Sequence, residues 1–167
     1  MSRKKRKKTK RNEPFPKMPE VKFTAQSYLA AAQEHLSASR RLHEGSLFFL
    51  SHCIAGLAVE CILRAYVRQA DDTFTGRHDL SQLAAQGDFS SLARGEKRIE
   101  CDAKLNEINL RWRSNQRYMT ESQLLSYLNN TRLDWRVRGD RMKYNSKRMY
   151  NLAEDIVGLG VLKWKNA

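Results

Sequence analysis

GSLFFLSHCIAGLAVECILRAYVRQADDTFTGRHDLSQL, residues Gly45 to Leu83, decides the reading of the fold. Gly45 ends one helical pattern and Ser46 is placed to cap the next. From there to about Gln69, Leu50, Cys53, Ile54, Leu57, Val59 and Cys61 cover much of a helix surface. A helix apolar on so many sides belongs at the centre of a bundle. Ala55, Gly56 and Ala58 allow a neighbouring helix, or a second copy of the chain, to approach closely. A polar break follows. Asp79 then caps a short helix through Ala85, closed by Gly87. His52, Glu60 and Arg64 interrupt the apolar run, so no membrane span is expected.

Upstream, Thr24 or Ser27 caps a first helix to about His43, striped by Tyr28, Ala31, Ala32, Leu36, Ser39 and Leu42. Downstream, the spacing of Leu92, Ile99, Leu105, Ile108 and Trp112 predicts a helix over about Ser90–Trp112, weakened at Gly95. A short helix is predicted at Glu121–Leu128. The pattern then changes. Leu133, Trp135 and Val137 alternate with Asp134, Arg136 and Arg138, and Gly139-Asp140 stands before Met142 and Tyr144. Period two with a turn signal reads as a small β-hairpin. Trp135 and Val137 would face inward, and Arg136, Arg138, Arg141 and Lys143 would form a basic ribbon. Ser146 caps a last helix, ended by Gly158 and Gly160. The expected fold is all-α: about five helices, with the hairpin before the last one.

Charge divides the chain unevenly. Residues 1–22 carry ten Lys or Arg against two Glu, a net +8. Residues 23–103 are near neutral at −2, and residues 104–167 return to +7. The run at Lys4, Lys5, Arg6, Lys7 and Lys8 repels itself too strongly to fold alone. Residues 1–22 therefore read as a disordered basic tail, and residues 23–167 as one helical domain. Such a distribution points to a polyanionic partner, RNA or DNA in the simplest case. Three cysteines, no CxxC pair and no signal peptide point to a reducing cytoplasm. No phosphate-cradling glycine loop, zinc-ligand spacing or hydrolase motif occurs, so no metal and no cofactor is expected.

Three segments together resemble the HEPN family, a small helical domain of prokaryotic toxin and defence proteins. The first helix offers Tyr28, Leu29, Ala32, Leu36 and Ala38. The second offers Gly56, Ala58, Val59, Glu60, Leu63, Arg64 and Ala65, similar to the family's GxAxExxLKA pattern. The third is His78-Asp79-Leu80 with Leu83, similar to its HDLxxL. The resemblance implies a helical bundle that pairs into a homodimer or larger assembly. It also implies a toxin–antitoxin, phage-defence or mobile-element context, with a nucleotidyltransferase antitoxin as a possible partner.

The nuclease branch of that family uses an Arg, four to six further residues and then a His, the first to hold phosphate charge and the second to move protons. Here His35, His43, His52 and His78 lack an Arg at that spacing. At the corresponding late position stand Arg111-Trp112-Arg113 and Arg117-Tyr118, the latter similar to the Arg-Tyr ending of non-nuclease members. Arginine grips phosphate and tyrosine stacks on bases. The alternative is a buried Trp112 with arginines solvating a helix end. A divergent ribonuclease would have to draw on His78, Asp79, Arg111 or Arg117. Asp79 reads more simply as a helix cap, and Glu60 with Arg64 as a structural ion pair one turn apart. The leading expectation is a non-catalytic nucleic-acid or nucleotide-phosphate binder; a ribonuclease and an oligomeric interaction module are the alternatives.

Overall fold

A computed structural model describes residues 23–75 and 79–164. The basic tail and His78 lie outside the described residues. Six α-helices run in the order α1 Ala25–Glu44, α2 Phe48–Ala70, α3 Leu80–Gln86, α4 Glu96–Arg111, α5 Glu121–Asn130 and α6 Arg141–Trp164. Two 3-10 turns, Phe89–Leu92 and Ser114–Tyr118, flank α4. The described residues form an all-α bundle and contain no strand.

The α1 and α2 helices pair along their length, and α6 lies against both. Thr24 and Ser27 close a reciprocal capping box at the start of α1. The turn into α2 is a Schellman arrangement. The Leu47 amide donates to Leu42 O at 2.8 Å and the Ser46 amide to His43 O at 3.0 Å. Ser46 therefore takes the left-handed position, φ 61°, instead of capping α2. Ser39 and Ser51 then tie the two helices together by hydroxyl-to-carbonyl bonds in both directions, at 3.0 and 2.9 Å.

The α2 helix is long and apolar enough to cross a membrane, but most of it is buried in the bundle. Its polar side chains are accommodated there: Arg64 Nε donates to Glu60 Oε1 at 2.9 Å, with both residues buried. The small residues of α2 are consumed within the chain. A Cβ on Gly56 would sit 2.1 Å from the Trp112 indole, and Ala55 and Ala58 are fully enclosed. They leave no close-approach surface for a second copy. Trp112 is thus a core residue, which decides between its two readings.

Three further expectations need correction. The hairpin is absent: Thr131–Asp140 is a series of turns, and Arg141 and Lys143 belong to α6. No second strand is available to pair the alternating residues, and an isolated hairpin is marginal in water. Its supposed inward Trp135 is 63% exposed, while Asp134, expected outside, is buried. The last helix begins before Ser146 and continues through Gly158 and Gly160. Asp140 Oδ1 accepts from the Lys143 amide at 2.8 Å, so it does the capping. Gly160 instead lets α6 approach α2, since a Cβ there would meet Ile62 Cγ1 at 2.5 Å. Finally, α4 starts only at Glu96. Gly95 has φ 56° and breaks the continuity to Leu92, and Ile99, expected on the apolar stripe, is 71% exposed.

Candidate nucleic-acid interface

The connection from α5 to α6 is built by alternately anchoring and releasing side chains. Leu133 packs on a small cluster of Leu124, Leu128 and Met142. Asp134 is buried, and its Oδ2 accepts from Asn145 Nδ2 at 3.4 Å. Its carbonyl accepts from the Val137 amide at 2.9 Å, closing a turn with Trp135 and Arg136 at the corners. Those two side chains project outward, with the Arg136 guanidinium 4.7 Å from the centre of the Trp135 ring. Gly139 at φ 89° then turns the chain into α6.

The same segment is electrically one-sided. Arg132, Arg136, Arg138, Arg141, Lys143 and Lys147 are exposed, and none forms an ion pair among the described residues. Lys143 lies over the Phe48 ring and Lys147 over the Tyr150 ring. Both ammonium groups, after burial, hold the neighbouring His43 imidazole below its ordinary pKa. The only acids in this stretch are Asp134, buried, and Asp140, occupied as the cap of α6. Arg132 and Lys147 extend the basic set beyond the four residues expected from sequence. The hairpin reading, starting at Leu133 and ending near Tyr144, left them outside.

The Arg111–Tyr118 region splits into buried and presented residues. Arg111 is withdrawn from solvent: Nε donates to Glu107 Oε1 at 2.8 Å and Nη1 to Asn145 Oδ1 at 2.7 Å. Arg148 also grips Glu107, at 2.8 Å, and with Arg111 holds that carboxyl below the usual carboxylate range. The Arg111 carbonyl accepts from Gln116 Nε2 at 3.0 Å and faces His52 Nε2 at 3.1 Å. His52 is sealed in the core, and burial lowers its pKa to about 4. Arg111 therefore organises the interior and cannot reach a ligand. Arg117 and Tyr118 are presented at the surface, with the guanidinium 5.3 Å from the ring centre.

Asp79 caps α3 as expected, accepting from the Gln82 amide at 3.0 Å. Its other oxygen lies 4.0 Å from Arg113 Nη1. Both border a cavity of about 500 Å³ that Asn109, Ser114 and Asn115 also line. The structure brings Asp79 and Arg113 together, but no described imidazole lines this cavity. Among the described residues no cluster of His, Cys, Asp or Glu can hold a metal ion. Comparison with protein-family models, curated proteins and solved structures gives no significant match.

Proposed function

We propose that this chain is a non-catalytic, HEPN-like protein that binds RNA or DNA by its phosphate backbone along Arg132–Lys147. The uncompensated charge of that segment carries the reading. Six exposed cations stand together, while the two acids that would offset them are buried or occupied. Cations left unpaired by the fold gain most from a polyanion, because each phosphate they neutralise releases a condensed counterion. Residues 3–11, eight of which are basic, add an arm of the same character.

Two of the four histidines, His43 and His52, support the non-catalytic half of the reading, while His78 lies outside the described residues. His43 Nδ1 is engaged by Ser146 Oγ at 2.9 Å, and His52, the neighbour of Arg111, has no route to a substrate. A toxin–antitoxin, defence or mobile-element context, and a nucleotidyltransferase partner, rest on the family resemblance alone. So does assembly as a homodimer, whose interface must avoid Ala55, Gly56 and Ala58.

The deciding experiment measures affinity for a labelled oligonucleotide across a range of salt concentrations. Replacing Arg136, Arg138, Arg141 and Lys143 by Ser together should reduce the slope of log affinity against log salt by about 3. Deleting residues 1–22 should reduce it independently. A slope indifferent to the fourfold replacement overturns the proposed surface. RNA cleavage above a buffer control that is lost on replacing Arg117 or His78 by Ala overturns the non-catalytic reading.

A further inference from the structure

We infer that the nucleic acid held on this surface is single-stranded, with a base stacked on the exposed indole of Trp135. The inference rests on the proposed nucleic-acid reading and deepens it: cations alone do not distinguish a strand from a duplex, whereas an aromatic face does. The three tryptophans show how unusual the placement is. Trp112 is 1% exposed, Trp164 packs edge-on against Tyr66, and Trp135 is 63% exposed. Trp135 is not loose for want of anchoring. Its turn is closed by the Val137 amide on the Asp134 carbonyl, and Leu133 and Asp134 are held inward just before it. Anchoring contacts just before the indole, and the turn that closes after it, hold the ring out beneath one guanidinium.

Tyr118, the most exposed ring among the described residues, repeats the device. Gln116 is fully buried, and Arg117 and Tyr118, the next two residues, emerge with Tyr118 81% exposed. Both anchors lead to the same arginine. Gln116 donates to the Arg111 carbonyl, and Asp134 reaches the Arg111 guanidinium through Asn145. Arg111 is thus a positioning residue for two Arg–aromatic pairs.

Such pairs fit unstacked bases. A base has a π-face whatever its sequence, and stacking on an aromatic side chain or a guanidinium plane is the common mode for single strands. In a duplex the base faces are covered by their neighbours, and only edges are offered in the grooves. A duplex would use the cations of this surface and leave Trp135 and Tyr118 without a purpose.

The test uses the full chain with labelled strands of about 15 nucleotides, as DNA and as RNA, and the matching DNA duplex, near physiological salt. Single strands should bind at least about tenfold tighter than the duplex. Trp135→Ala should lose about tenfold on the single strands and leave duplex affinity unchanged, whereas Trp135→Phe should keep most of the affinity. Single strands should also quench the tryptophan fluorescence of the native chain, and that quench should vanish in Trp135→Phe. Equal or tighter duplex binding overturns the inference, as does full single-strand affinity in Trp135→Ala. If the fourfold replacement of Arg136, Arg138, Arg141 and Lys143 abolishes binding while Trp135→Ala does not, the phosphate-binding reading stands and this one falls. A native chain that binds none of the three probes removes both.

Discussion

The middle of α2 and the α5–α6 connection are built on opposite terms. Around Gly56 most of the helix is enclosed: Trp112 fills the space a side chain would take, Ala55, Ala58, Val59 and Ile62 are fully buried, and only the stripe of Ile54, Leu57 and Cys61 is partly exposed. Between Arg132 and Asp140 only Asp134 is fully buried, and the remaining side chains face solvent wholly or in part. Dense packing makes a helix tolerant of poor local signals and intolerant of volume change. The exposed segment is free in volume and constrained only by its anchors. Residues available for binding come from the second kind of region.

The sharpest way to break this contrast is Gly56→Ala. The added methyl has nowhere to go without moving the Trp112 ring, so the cost should be about 3 kcal/mol or more in a urea titration. Trp112→Leu in the same chain should recover part of that loss; two fully additive losses would mean the ring and the glycine are not in contact.

Next in size is acid sensitivity. His52 is held neutral in the core, with its pKa at about 4 against an ordinary 6.5. Between those values the unfolded chain binds a proton that the folded chain refuses, so stability falls as pH falls through this window. The full effect approaches about 3 kcal/mol near pH 4. His52→Gln should be less stable at pH 7 yet show a shallower decline between pH 6.5 and pH 4. Parallel curves for the two proteins would count against the assignment.

A smaller loss is expected for Arg111→Met, which removes the bonds to Glu107 and Asn145 but leaves Glu107 paired with Arg148. About 2 kcal/mol is the order for buried charge-assisted hydrogen bonds. This variant should also loosen both exposed pairs, seen as faster amide exchange near Gln116 and Val137 than in a core variant of equal stability.

The smallest stability effect belongs to the exposed segment itself. Arg136→Ser, Arg138→Ser, Arg141→Ser and Lys143→Ser, separately, should each stay within about 0.5 kcal/mol of the native chain. A loss beyond about 2 kcal/mol in any one of them would show that the segment is structural.

The sequence by itself determined the α1 and α2 helices, a cap at Thr24 or Ser27, the Asp79 cap, the short α3 and α5 helices and the central place of α2. Those features depend on neighbours within a few residues, where helical spacing and capping chemistry act directly. It also determined the charge of the segment around Arg136. What it left open was how that segment folds, because alternation predicts a strand only where another strand pairs with it, and pairing is a property of the whole chain. Tertiary structure alone decided that Asp134 would be drawn in by Asn145, that Trp135 would be turned out, and that Gly160 would continue a helix to meet Ile62. It alone decided that Arg111 would be spent in the interior while Arg117 remained at the surface. Asn145 stands 11 residues from Asp134 and 34 from Arg111, and Ile62 is further still from Gly160. All lie beyond the three- and four-residue steps that helical spacing reads, and the energy of burying a polar group or filling a cavity outweighs the local preference.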